Sequence, residues 1–398
     1  MAVNFYTVPQ QITLVFTSLL SGLVSLLGSL TIIYIIWRDR HEKLKFVYHR
    51  ILFALSLIDC VASLNFAFGF LLVPEGNFWG AQGNTASCET SGFLNAFFVS
   101  QIPYNFGLAL YYLLIIRYGK TQEFIARYVE PYLHILSLGL PMAVNLWALF
   151  TSALNPLPFL GGWCAIVRYP PFCEAAADEC SRGFTDRVIL FVLFVGVLFP
   201  SFIGIAIIMF LIIRHVRGRI AAVVRYRTRP RLDQTARQTV AQSLLYIAAS
   251  LLPNALLLVN HALNYTFPTH QQTVRFVFSF LVKLIVPLQG LFNLIIYIRP
   301  RYIMLRGVRG DNLSFFSLLS EIVVGAKSRP LEADDDQHNA DDFAPELAVH
   351  GSENYHSASK SSTGGVDDNQ LPSTQNVENG CLTTEDGNVM EITPDVSR

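Results

Sequence analysis

The chain has 398 residues, of which 52% are hydrophobic and only 15% charged, with a mean hydropathy of +0.41. That balance excludes an ordinary soluble domain, which carries about 25% charged residues, and predicts a membrane protein. The zero formal net charge conceals a division: residues 1–327 hold 26 basic and 14 acidic side chains, residues 328–398 hold 3 and 15, so a basic body carries an acidic tail.

A helix that crosses the hydrocarbon core needs about 20 mostly apolar residues. Seven segments satisfy this: 12–36, 51–73, 92–116, 132–153, 187–213, 239–262 and 274–298. The expected fold is an all-α seven-helix transmembrane bundle. Residues 1–11 form a short arm, 12–298 the bundle, 299–327 a juxtamembrane interfacial helix and 328–398 a disordered acidic tail. The first segment is long and lacks a basic leader, so it reads as an uncleaved signal anchor.

Alternate connections are basic: 37–46 has four Arg or Lys, 117–131 three, 214–238 eight, and the exit from the last span four. The positive-inside rule then places the N-terminus outside and the C-terminus in the cytoplasm, with the plasma membrane as the expected location. On the oxidising side lie Cys88, at the head of span three, and Cys164, Cys173 and Cys180 in the following long loop. Two disulfides are expected, Cys88 to one loop cysteine and the other two together, and spacing leaves three connectivities open. Asn264 begins an Asn-Tyr-Thr sequon on the same side, close to the membrane.

Polar residues within the spans are functional candidates, because lipid penalises them unless they meet partners. Asp59 in span two and Asn293 in span seven lie at comparable depth and form a candidate polar core. Gln101, Tyr104 and Asn105 share a face of span three, and with His261 in span six they are candidate ligand contacts. Each also has the plainer reading of an interhelical hydrogen bond. Lys283 stands one turn before Pro287 and needs a partner: a ligand carboxylate or phosphate, a pair with Asp59 or Glu89, or a retinal Schiff base. Pro253 and Pro287 are candidate pivots. No HExxH, GxSxG or GxxxxGK[ST] pattern occurs, and no enzyme chemistry, cofactor or metal is expected.

Three stretches carry a family resemblance: GNTASCETSGFLNAFF at 83–98, LALYYLLIIRYGK at 108–120 and PLQGLFNLIIY at 287–297. They resemble the cyclic-AMP-receptor-like group of G-protein-coupled receptors, itself similar to secretin and adhesion receptors. The chain departs from the rhodopsin branch: Ile116 precedes Arg117 and Tyr118 where that branch has an acid, and Leu294 stands where its last-span motif has proline.

The resemblance implies a receptor that binds an extracellular ligand and activates a heterotrimeric G protein. Arg117, Tyr118 and Tyr297 would line the coupling cavity, with Arg225 and Arg227 from the basic run 214–231, which also suits a clamp on anionic lipid. Arrestin-like regulators of a phosphorylated tail are further expected partners, and nucleic acid is not. The alternatives are a seven-helix transporter, a retinal-binding light sensor, or a scaffold acting through its tail.

Overall fold

The computed structural model describes residues 6–157, 161–170, 173, 180–226, 230–266, 272–309, 320 and 322–323. Seven helical spans follow one another. Span one is Val8–Arg38, span two Val47–Phe68 with a 3-10 turn Gly69–Leu72, span three Thr85–Ile116 and span four Glu130–Phe150. Span five runs as Asp186–Leu193, a π-helical turn Phe194–Leu198 and Phe199–Tyr226. Span six is Pro230–Thr266, and span seven is Gln272–Ile285, a 3-10 turn Val286–Leu288 and Gln289–Arg309.

Six of the seven are long and apolar enough to cross a membrane, and span six carries a shorter apolar stretch, Leu244–Asn260. Leu27, Ile135, Phe150 and Phe191 lie more than half exposed on the outside of the bundle, as a lipid-facing surface requires.

Each departure from a plain helix has a local cause. Span three starts seven residues earlier than its hydropathy predicts, because Asn84 caps it: its side chain accepts from the Ser87 N–H at 3.0 Å while Ser87 Oγ accepts from the Asn84 N–H at 2.8 Å. The π turn in span five ends two residues before Pro200, whose ring and missing N–H disfavour a regular helical turn. In span seven Pro287 has no N–H to give the Lys283 carbonyl. That carbonyl instead accepts from Ser21 Oγ of span one at 2.8 Å, and the Gly290 N–H donates to Ser25 Oγ at 2.9 Å. Two serines one turn apart thus satisfy the backbone that the proline frees. Of the two candidate pivots, Pro287 coincides with a break in the helix, and Pro253 lies inside the continuous helix of span six.

Span seven continues through Pro300 to Arg309 without interruption, so the described start of the expected interfacial helix is an extension of the span. Residues 310–319 lie outside the described residues. Beyond them Ile322 is buried against Ile35 and Ile298, and Arg38 Nη1 donates to the Val323 carbonyl at 2.7 Å. Just past span one, burial tends to raise the Asp39 carboxyl. Hydrogen bonds from Arg38 and Lys43 outweigh that and hold it at about 2.

The loop after span four contains a β-hairpin that hydropathy does not reveal. Strand β1, Leu154–Leu157, pairs antiparallel with β2, Trp163–Ile166, in the register Leu154 to Ile166. Cys164 on β2 is bonded to Cys88 of span three, and Cys173 to Cys180. Asn95 Nδ2 adds a hydrogen bond to the Cys164 carbonyl at 2.6 Å. The hairpin therefore caps one end of the bundle, and the arginine-rich connections mark the other.

At the arginine end Arg50 of span two grips Glu130 of span four with two parallel bonds, Nε to Oε1 at 2.7 Å and Nη2 to Oε2 at 2.6 Å. Arg50→Met is expected to cost about 2 kcal/mol, below the 3–5 of a fully buried pair because the arginine is partly wetted. The double variant Arg50→Met/Glu130→Met should recover part of that loss. A double-mutant cycle of thermal stability checks this, and additive losses would remove the pair as the cause.

Candidate functional site

The polar residues fall into three layers. At the hairpin end Lys283 is 1% exposed, and its Nζ sits over the Trp163 ring, 3.8 Å from the centroid. Trp163 is presented by β2, one residue before the disulfide, and its ring packs on Phe66 at 4.7 Å between centroids. The surrounding cluster is Ala62, Leu157, Val167, Val282 and Val286. Neither expected carboxylate partner is used: Asp59 is bonded to Asn293, and Glu89 to Arg182. Among the described residues no carboxylate lies within ion-pair distance of Lys283 Nζ. A cation–π contact is worth about 2 kcal/mol when desolvated, while burying an ammonium costs several.

In the middle layer Asn293 Nδ2 donates to Asp59 Oδ2 at 2.7 Å, and Gln289 Nε2 donates to Asn293 Oδ1 at 3.3 Å. Asp59 and Asn293 are both fully buried, so the structure brings the predicted polar core together. Asp59 Oδ1 has no hydrogen-bond partner among the described residues.

The third layer, at the arginine end, is a tyrosine cluster. Tyr48 of span two and Tyr246 of span six share a hydroxyl–hydroxyl bond of 3.0 Å, and Gln242 Nε2 approaches Tyr48 Oη at 3.4 Å. Tyr111 and Tyr112 of span three stack around Tyr48 at 6.2 and 6.0 Å. Gln122 Nε2 donates to Tyr111 Oη at 2.8 Å, and Tyr297 meets His49 edge-on at 5.9 Å.

The other expected residues are placed as follows. Gln101 and Asn105 are buried on span three, where Asn105 Nδ2 bonds the Gln101 carbonyl at 2.9 Å. Tyr104 turns towards span four and bonds His134 Nδ1 at 3.0 Å. It packs in the cluster with Leu133 and Ile115, a different cluster from that of Trp163, which covers Lys283. Arg117 and Tyr118 are exposed at the arginine end, the guanidinium 5.5 Å over the Tyr118 ring. The side chains of His261, Asn264 and Arg225, and Arg227 altogether, lie outside the described residues.

Sequence reasoning missed Trp163 and the partners Tyr48 and Tyr246. Trp163 had a signal in its place beside a disulfide cysteine. The tyrosine pair had none, since the two are nearly 200 positions apart and a tyrosine in an apolar run is ordinary core.

No protein-family model matches the chain, and no curated protein matches its sequence. Among solved structures it is similar to the crystal structure of squid rhodopsin, with a TM-score of 0.56 over 83% of this chain and 90% of that one, at 15% sequence identity. The chain thus folds as a seven-helix transmembrane bundle of the rhodopsin type.

Proposed function

We propose that the protein is a G-protein-coupled receptor of the plasma membrane. A ligand arriving at the extracellular hairpin end favours outward movement of span six at the cytoplasmic, arginine-rich end, where a heterotrimeric G protein docks. The observation that carries this reading is the arrangement along span seven. Lys283, which has no carboxylate partner among the described residues, the Pro287 break, the Asp59–Asn293 bond and Tyr297 follow one another on one broken helix. Beside its cytoplasmic end the Tyr48–Tyr246 bond ties span six to span two.

Ligand and G protein are coupled if both prefer the state in which span six is released; no covalent step is required. Arg117 and Tyr118 stand at the mouth of that opening. Arg225 and Arg227 add charge for the partner or for anionic lipid, and the acidic tail is a site for arrestin-like regulators. The stretch PLQGLFNLIIY supports a place near the cyclic-AMP-receptor-like group.

A retinal-based light sensor is the second reading, because Lys283 is buried in the last span. A protonated Schiff base in lipid needs a counter-ion, and the cation–π contact to Trp163 supplies none, which favours the receptor.

The test is nucleotide exchange on a panel of Gα subunits with the protein in nanodiscs. Tyr246→Phe removes one hydrogen bond worth about 1 kcal/mol, so basal exchange should rise roughly fivefold, while Arg117→Ala should lower it. A folded protein that drives no exchange on any Gα, in wild type or Tyr246→Phe, would overturn the reading.

A further inference from the structure

The receptor reading leaves the ligand unnamed, and the hairpin-end layer narrows it. Trp163 Nε1 is a buried N–H donor with no hydrogen-bond acceptor among the described residues, and Lys283, 1% exposed, sets its Nζ over the same ring with no described side-chain acceptor. Around them stand Phe66, Phe98, Leu157, Val167 and Val282, none of which offers a side-chain acceptor. The two acids expected as partners are bonded elsewhere, Asp59 through Oδ2 with Asn293 and Glu89 with Arg182.

Two donors with one positive charge and no described side-chain acceptor, packed against aromatic and aliphatic side chains, define the complement. We propose that this layer binds an organic monocarboxylate with an apolar body, its acid group held by Lys283 and the Trp163 indole N–H and its body by the cluster around Phe66. This deepens the receptor reading by naming the class of ligand.

One ammonium balances one negative charge, which selects a carboxylate over a phosphate dianion that would bring a second charge into the apolar layer. The acid displaces the Trp163 face from Nζ, exchanging a cation–π contact for a charge-assisted hydrogen bond, the stronger of the two in a site closed to water. Trp163 is carried by a hairpin that the Cys88–Cys164 bond ties to span three, so a ligand that moves Trp163 also pulls on span three. The Lys283 carbonyl is bonded to Ser21, one turn before the Pro287 break, so the same contact reaches the pivot.

Binding is measured on the full chain in nanodiscs, without G protein, as the shift in thermal unfolding and the change in tryptophan fluorescence. The probes are octanoate, phenylacetate and 4-phenylbutyrate, each beside its methyl ester. At least one acid should stabilise the wild type saturably while its ester does not. Lys283→Met should weaken that acid at least tenfold, Trp163→Phe about fivefold, and Lys283→Arg should retain it. A shift of equal size with acid and ester, a shift that survives in folded Lys283→Met, or no shift with any of the three acids overturns the proposal. Because this readout needs no Gα, its failure is distinct from a failure of the nucleotide-exchange test. A carboxylate that binds to a protein inert towards every Gα would keep the site and remove the receptor.

Discussion

Replacing Cys164 by Ser is expected to lower the stability of the folded bundle by about 4 kcal/mol, the loop-closure value for cysteines 76 residues apart. The loss has a structural focus. Cys164 lies within the register of the β1–β2 hairpin, next to Trp163, and the same residue's carbonyl takes the Asn95 hydrogen bond. Without the covalent tie, that hydrogen bond, the short two-stranded sheet and the packing of Leu154, Leu157 and Trp163 are left to hold the hairpin, and two strands alone are marginal. Trp163 then leaves Lys283, whose ammonium loses its one described side-chain contact. Thermal unfolding of Cys88→Ser, Cys164→Ser and the double variant checks this: the three should fall together, because each removes the same bond. Cys173→Ser should fall less, since its loop spans only 7 residues. If Cys164→Ser unfolds with the wild type, the hairpin is held by something other than the bond.

Much of the fold was legible in the sequence because lipid imposes a coarse rule. Seven apolar segments of sufficient length had to be helices, and the structure has all seven, with a break where Pro287 removes a backbone donor. Asp59 and Asn293, read as one polar core, are hydrogen-bonded for a related reason: two polar side chains at equal depth have few other partners.

What hydropathy could not show was direction. Tyr104 lies on a polar stripe of span three, yet its hydroxyl points to His134 of span four, because Gly107 leaves room for Leu133 and draws the two helices together there. Of the partners expected for Lys283, the two acids of the chain itself are bonded elsewhere for the same reason. The expected acids were near in sequence logic, but Arg182 and Asn293 reached them first. The aromatic face that covers the ammonium comes from a hairpin whose strands are four residues long and hidden in an apolar, glycine-containing loop.

Gly290→Ala tests the mechanical part of the same mechanism and should be nearly as severe. A Cβ placed at Gly290 would lie 2.1 Å from Ser29 Oγ and 2.6 Å from the Ser25 carbonyl oxygen, and Gly28 approaches the Gly290 carbonyl from the opposite side with a hypothetical Cβ at 2.8 Å. Rotating Ser29 relieves only the first clash, because the second is with backbone. Spans one and seven must therefore separate, which also stretches the bonds of Ser25 and Ser21 to the freed backbone around Pro287. Overpacking of this kind costs about 1–3 kcal/mol, and two interhelical hydrogen bonds in lipid add about 1 kcal/mol more, for roughly 3 kcal/mol in all. Ser29→Gly in the same chain should recover little of it, and Ser25→Ala alone should cost under about 1 kcal/mol. Thermal unfolding of the four proteins ranks them. A Gly290→Ala variant as stable as wild type, or one rescued by Ser29→Gly, would mean that the two helices are not in backbone contact at the pivot. The break at Pro287 would then be free to bend without reference to span one.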